Sequence, residues 1–157
     1  MMLRRKKARP GTVLIESAFV YPVLFLTILA VILLGQAVFR YQQVTHMARE
    51  GARWASVHGE SYASEQNTTA ATEQDVIDNA VTPQFAGMAS GTEMTCTVSW
   101  PYGKKPTRTV NIVDPVTGKT EVTQRSNTVS VTVTYTWSTG MFGTLTVSST
   151  SVNQIFY

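Results

Sequence analysis

Residue types that could carry out chemistry are few and scattered in this sequence. His46 and His58 each lack a second ligand at metal-binding spacing, so both are predicted to be solvated residues on a helix or at its end. The sequence contains no phosphate-binding glycine loop, no His-x-x-x-His pair and no nucleophile motif. We therefore expect a protein that is not an enzyme, with no catalytic residues, no metal, no cofactor and no small-molecule substrate.

Cys96 is the one cysteine in the chain, so an intramolecular disulfide is excluded. It alternates with Met94, Val98 and Trp100, which predicts a small core residue in a β-strand. An intermolecular disulfide is the alternative.

Glu16 requires a chemical explanation because it stands at the entrance of a long apolar run. An ionised carboxylate deep in hydrocarbon costs on the order of 3 kcal/mol. One explanation is that Glu16 lies at the level of the lipid headgroups and is hydrated. The other depends on what precedes it, because Gly11 stands five positions earlier and directly after a basic segment.

The apolar run extends from Ser17 to Phe39 and contains 23 residues without a charge. As a helix it would be about 35 Å long, which is enough to cross a hydrocarbon core of about 30 Å. A buried core helix is the weaker alternative, because the rest of the chain is too small to enclose it. The sequence therefore predicts a transmembrane span over about residues 17–39.

The net charge of +3 is distributed unevenly along the chain. Residues 1–11 carry five basic residues and no acidic one, whereas residues 12–157 hold eight basic and ten acidic residues. Basic tails can bind nucleic acid, but positive charge beside a membrane span mainly sets its orientation. We expect no nucleic-acid partner, and a single-pass protein of the inner (cytoplasmic) membrane with a cytoplasmic N-terminus and an extracytoplasmic C-terminal domain.

A cleaved secretory signal peptide is an alternative interpretation of the same N-terminus. Gly35-Gln36-Ala37 supplies small residues suited to a leader peptidase, and cleavage there would release a soluble domain that begins at Val38. Two features disfavour it: the apolar run exceeds the usual length of about 7–15 residues, and Glu16 stands at its entrance.

The segment Gly11–Glu16 resembles the class III signal peptides of type IV pilins and pseudopilins. In that family a prepilin peptidase cuts after the glycine, so the resemblance implies a leader of residues 1–11 and a mature protein that begins at Thr12. It also implies that the Glu16 carboxylate meets the α-amino group of an adjacent subunit.

A second resemblance, to TadE-like pseudopilins of Tad (type IVc) pili, rests on Ala18, Val20, Pro22 and the stretch Ala48–Arg53. Together the resemblances cover about the first 57 residues. They imply a membrane-anchored structural or assembly subunit of a Tad-type pilus or a related secretion system. The implied partners are the membrane, prepilin peptidase, other pilin subunits and pilus assembly proteins. The length favours a minor pilin, because major Tad subunits are usually much shorter.

An uncleaved bitopic envelope protein that acts as an interaction module is the remaining alternative. The mature N-terminal residue separates the hypotheses: Thr12 for the pseudopilin, Met1 or Met2 for the bitopic protein, and Val38 for the secreted domain.

One long helix is predicted over residues 12–58. Pro22 removes a backbone donor, so a kink or soft point is expected there. Arg49, Glu50 and Arg53 are candidate assembly residues together with Glu16 and Pro22, and Glu50 and Arg53 are spaced to form an ion pair. Small and apolar residues recur at helical spacing beyond the span and predict one packed face: Ala37, Tyr41, Val44, Ala48, Ala52 and Ala55.

Residues 59–92 are predicted to form a polar linker with one short helix, which begins with a cap made by Thr72 and Asp75 and ends at Pro83. From Glu93 to Tyr157 the apolar residues alternate with Thr and Ser, which predicts antiparallel strands that are covered on one face. A turn at residues 114–118 is expected to join two of them. The outer half of the long helix is the expected cover, which gives an α+β, pilin-like fold.

Overall fold

The computed structural model describes residues 10–85, 93–140 and 143–157, in two compact units divided between Phe39 and Arg40. Residues 1–9 of the predicted leader and residues 86–92 of the predicted linker lie outside the described part.

The first unit contains the N-terminal part of helix α1, which spans Pro10–Val57. By length and composition α1 could cross a membrane, and none of its most apolar window is buried. Large apolar side chains point outward here, as Phe19 does with 75% of its surface exposed. A helix that is apolar all round suits a lipid environment or the interior of an assembly. The helix matches the predicted span in length and composition.

α1 continues without interruption through Pro22. Two hydroxyl groups of this part, those of Ser17 and Thr27, donate to backbone carbonyls one turn back at 2.8 Å each. Their hydrogen-bonding needs are therefore met inside the helix, which reduces the cost of placing them in an apolar environment. The soft point predicted at Pro22 stays a prediction.

In the second unit, α1 is followed by α2 (Glu60–Gln66), α3 (Glu73–Val76), a π-helical turn (Ile77–Val81) and α4 (Thr82–Phe85). The linker was expected to contain one short helix, and α2 is an addition to it. The predicted cap of the second helix is confirmed: the Thr72 hydroxyl accepts from the Asp75 N–H, and the Asp75 carboxylate accepts from the Thr72 N–H at 2.8 Å.

Pro83 does not end the helical segment, contrary to the prediction. The π-helical turn shifts the backbone pairing, so that the Thr82 N–H donates to the carbonyl of Ile77, five residues back. Helical structure then resumes at Thr82 with Pro83 in the first turn of α4. Proline is tolerated early in an α-helix because its fixed φ is close to the helical value.

The C-terminal part of the chain forms two antiparallel sheets. The strands are β1 (Glu93–Ser99), β2 (Thr107–Val113), β3 (Thr120–Ser126), β4 (Thr128–Ser138) and β5 (Thr144–Gln154). β1, β4 and β5 form a three-stranded sheet in the order β1-β4-β5, and β2 and β3 form a separate hairpin. The hairpin carries exposed apolar residues on both of its faces, Ile112 on one and Val122 on the other, so neither face is suited to a covered core.

The period-two pattern predicted for β4 is confirmed. Its apolar side chains are buried on one face, with Val129, Val131, Val133 and Tyr135 at 0% exposure and Trp137 at 7%. On the other face its threonine hydroxyls pair with hydroxyls of β5 at 2.8 to 3.0 Å.

The outer half of α1 covers the apolar face of the three-stranded sheet. The contact begins at Val44, which is fully buried, and continues along the small residues Ala48, Ala52 and Ala55, each at most 1% exposed. Ala37 is half-buried and Tyr41 remains 51% exposed, so the buried face starts about two turns later than the sequence pattern indicated. The structure has the predicted α+β architecture.

Candidate assembly surfaces

The predicted processing residues lie near the start of α1. Gly11 has open space around it, since a β-carbon built there would meet no atom within 4 Å. Glu16 is exposed and forms no ion pair with a described residue. The side chain of Thr12 lies outside the described part. Gly11 and the Glu16 carboxylate are therefore both exposed within the described part of the chain.

The apolar side of the same segment forms a shallow groove between ridges of side chains. Phe19, Val20, Val23, Leu24 and Thr27 line it. Ridges and grooves of this kind are how helices pack against one another, so another apolar helix fits this surface. Pro22 lies in the same stretch of α1 and is exposed.

The predicted assembly residues of the outer half lie on the side of α1 away from the sheet or at its margin. Arg49 and Arg53 are exposed, whereas Glu50 is half-buried. The expected ion pair between Glu50 and Arg53 does not form: the ion pair recorded among the described residues joins Lys105 Nζ to Glu60 at 4.0 Å. A pair of this kind near the surface contributes little to stability, so its absence costs little.

Gly51 lies on the opposite side of α1, in close contact with two neighbouring elements. A β-carbon at this position would lie 3.1 Å from Val131 Cγ1 and 3.2 Å from Val81 Cγ2. Val76 Cγ1 would be 3.7 Å away. The glycine therefore lets α1 contact both β4 and the helical segment after α3.

A hydrogen bond from Arg40 to Tyr135 was not predicted from the sequence. Arg40 Nη1 donates to the Tyr135 hydroxyl at 2.9 Å, and the guanidinium lies 5.5 Å from the tyrosine ring centroid. Tyr135 is fully buried and also contacts Phe85 and Trp137. The sequence offers one signal for this contact: Arg40 directly follows the apolar run. A cation in that position is expected to have a hydrogen-bond acceptor within the protein.

The end of α1 is joined to the segment that follows β5, and this too was not predicted. The Phe156 N–H donates to the Ser56 carbonyl at 3.0 Å.

Asn127, which is 1% exposed, donates its side-chain amide to the carbonyls of Tyr102 and Lys105 at 3.2 and 2.9 Å. The pairing of a buried asparagine with loop carbonyls fixes the junction between β3 and β4 beside the helix end.

His58 is not the solvated residue that was predicted. Its ring stacks on Trp54 with 3.9 Å between centroids and meets the edge of Tyr62 at 4.6 Å. Its Nδ1 also lies 2.8 Å from the Trp54 carbonyl. The aromatic residues one turn before and one turn after it form this cluster as soon as α1 ends and α2 begins. His46, by contrast, is exposed as expected.

Cys96 is half-buried in β1, in the strand that the alternation predicted. Burial, with a smaller contribution from the Glu73 carboxylate, raises the pKa of its thiol to about 11. The thiol is therefore protonated near neutral pH and poorly reactive. The alternative of an intermolecular disulfide stays untested.

Within residues 10–85, 93–140 and 143–157, no group of three or more His, Cys, Asp or Glu side chains is placed to hold a metal ion.

No curated protein and no solved structure matches this chain. The model of one protein family, described as TadE-like protein, matches residues 11–53. The match begins at the glycine of the predicted processing site and ends at the last arginine of the predicted assembly segment. From Gly11 to Arg53, this chain is similar to the TadE-like protein family.

Proposed function

We propose that this protein is a minor pseudopilin of a Tad-type (type IVc) pilus or a related secretion system, and that it acts as a membrane-anchored structural or assembly subunit. The TadE-like match suggests a membrane-anchored, pilin-like protein associated with a Tad pilus. One observation supports this most strongly. The matched residues 11–53 coincide with α1, whose N-terminal part is apolar all round and whose outer half packs on an antiparallel sheet.

The anchor would lie in the inner membrane with the leader in the cytoplasm. Five basic residues before the span, against Arg40, Arg49 and Arg53 after it, favour this orientation. The sheet unit would then face the extracytoplasmic side, where it can contact other subunits.

Processing by a prepilin peptidase would generate the group that assembly needs. Cleavage between Gly11 and Thr12 leaves a new α-amino group on Thr12, which is positively charged near neutral pH. Glu16 follows one helical turn later on an exposed helix. When helices of several subunits pack together, the amine of one subunit and the Glu16 carboxylate of another would enter the same apolar environment. Each charge then has a partner, and losing one leaves the other buried at a cost of several kcal/mol.

Replacing Glu16 tests this mechanism. Glu16→Ala should still insert in the membrane and still be cleaved, because the helix becomes more apolar and Gly11 is unchanged. It should be absent from purified filaments or assembly complexes. The measurement is the amount of protein in those fractions, together with the mass of the mature N-terminus.

Ser17→Ala is the matched control, since it removes a polar group from the adjacent residue without removing a charge, and it should assemble normally. Normal recovery of Glu16→Ala in filaments would contradict the charge-pairing role. A mature protein that begins at Met1 or Met2 would favour the uncleaved bitopic protein, and one that begins at Val38 the secreted domain.

A further inference from the structure

Two oppositely charged patches in the second unit form no ion pairs with described residues. The basic patch consists of Arg49 and Arg53 on α1, both exposed. The acidic patch consists of Glu73 and Asp75 on α3 and Asp78 on the π-helical turn, all exposed. The ion pair recorded in the described part of the chain is formed elsewhere, between Lys105 and Glu60.

The basic patch lies at the level of the acidic segment along α1, on the face of α1 that is turned away from that segment. Gly51 faces the acidic segment, since a β-carbon there would lie 3.2 Å from Val81 Cγ2 and 3.7 Å from Val76 Cγ1. Arg49 and Arg53 lie two residues before and after Gly51. At about 100° per residue they project about 160° away from it, within about 3 Å of its height along the helix. The two arginines therefore face away from the segment that carries the acidic patch, and Lys104 lies close enough to that patch to act on Asp75.

The acidic side chains are held in place by contacts that leave them exposed. Glu73 Oε1 accepts a hydrogen bond from the Val98 N–H of β1 at 2.9 Å. The Asp75 carboxylate accepts from the Thr72 N–H and hydroxyl at 2.8 and 2.7 Å, and Asp78 accepts from the Gln74 amide at 2.9 Å. Hydrogen bonds from Thr72 also hold the pKa of Asp75 below its usual value, so this carboxyl is ionised at neutral pH. The patch is ordered before any partner arrives.

We propose that the two patches are the two halves of a lateral interface between copies of this chain, the basic patch of one copy meeting the acidic patch of the next. This inference rests on the proposed function only in taking the protein to be membrane-anchored. In copies that span one bilayer with the same topology, the α1 helices all point in the same direction. Because the patches lie at the same level, neighbouring copies can bring them together side by side without an axial shift. The contact joins two different surfaces, so it leaves a free patch at each end and can add further copies.

Chemical crosslinking between isotopically distinct copies tests the interface. The full chain with Arg49→Lys and Arg53→Lys keeps both charges and supplies amines that a carbodiimide joins directly to carboxylates. Unlabelled and ¹⁵N-labelled protein are mixed in liposomes and crosslinked, and the products are analysed by mass spectrometry. We expect crosslinks between an introduced lysine, at position 49 or 53, of a copy with one isotope and an acidic residue of a copy with the other isotope. The acidic residues are Glu73, Asp75 and Asp78. They should decrease in high-salt buffer, where the Debye length falls from about 10 Å at 0.1 M to about 3 Å at 1 M.

Charge reversal separates a specific contact from random collision. In the lysine variant, Asp78→Lys should reduce the mixed-isotope crosslinks to the two remaining acidic residues about fivefold, because like charges then face each other. Exchanging the charges, with Arg53→Glu and Asp78→Lys, should restore a crosslink between those two positions. Glu121→Lys on β3 reverses a charge on the hairpin and should change nothing.

The interface is wrong if mixed-isotope crosslinks are absent, if they join other carboxylates only, or if Asp78→Lys leaves them unchanged. The assay uses purified protein without any filament, so these results are independent of the Glu16 experiment. Loss of filament entry by Glu16→Ala together with absent crosslinks would reject the lateral interface and leave the proposed function in place.

Discussion

Gly51 is the residue that sets how closely α1 approaches the rest of the second unit. Methyl groups of Val131 and Val81 occupy the space next to its α-carbon, at 3.1 and 3.2 Å from where a β-carbon would be. A large side chain would therefore have to push α1 away from both β4 and the π-helical turn. The packing of the helix on the sheet depends on the absence of a side chain at this position.

Replacing this glycine should destabilise the sheet unit. Gly51→Leu forces a large group into a filled space, and overpacking of this kind costs about 1–3 kcal/mol. The tryptophan fluorescence of the full chain during urea unfolding in detergent, to which the buried Trp137 contributes, measures the change. Gly35→Leu is the control in the same helix, because a β-carbon at Gly35 meets no atom within 4 Å. Equal unfolding midpoints for the two variants would show that α1 is not closely packed at Gly51.

Residues that depend on local patterns were predictable, and residues that depend on distant pairing were not. Glu16 and Gly11 could be singled out because their spacing and their position before the apolar run are visible in the sequence. The partner of Arg40 could not be singled out, because Tyr135 lies 95 residues away in the chain. The alternation in β4 predicts that the Tyr135 side chain is buried, and it gives no sign of a partner for the hydroxyl. His58 is an exception: its partners Trp54 and Tyr62 are each four residues away, but the turn between α1 and α2 brings the three rings together.

The two edges of the three-stranded sheet differ at the level of the elements. The β1 edge is covered by α3, whose Glu73 carboxylate accepts the outward Val98 N–H. β5 pairs with β4 on one side, and no charged residue or proline interrupts it between Thr144 and Gln154. Open, uncharged edges can pair with other strands, and proteins commonly close them with charges or covering elements. Glu73 closes one edge of this sheet.

Removing the acceptor at Glu73 should open the β1 edge. Glu73→Met keeps the length of the side chain but leaves the Val98 N–H without its partner, which should cost about 1 kcal/mol. Glu73→Gln retains an oxygen at the same place and should lose less. Hydrogen exchange of the Val98 amide measures the effect directly. Equal exchange rates in the Met and Gln variants would mean that the Glu73 oxygen does not protect this edge.

Elements with a strong repeat were predicted well, and the misjudged helix boundary has a specific cause. The end of α1 at Val57 and the alternation in β4 follow from periodicity that a single sequence displays. Pro83 was expected to stop a helix because proline lacks an N–H. The π-helical turn before it accommodates the proline, and nothing in the residues Ile77–Val81 predicts such a turn.

At the scale of the whole molecule, the charge distribution predicts one orientation in the membrane. Five basic residues in the leader should keep the N-terminus in the cytoplasm and leave the sheet unit outside. Protease added to intact spheroplasts should then digest the chain beyond about Tyr41, as detected with antibodies to the sheet unit. A cytoplasmic protein serves as the control for intact membranes. Protection of the sheet unit until the membrane is opened would reverse the assignment.

The junction between the end of α1 and the last residues has a consequence for the timing of folding. Ser56 pairs with Asn153, 97 residues later in the chain, and β5 completes the sheet that α1 covers. If the sheet unit folds outside the membrane, it cannot close until nearly all of the chain has been translocated. During that time, the apolar face of the outer half of α1 remains exposed to water.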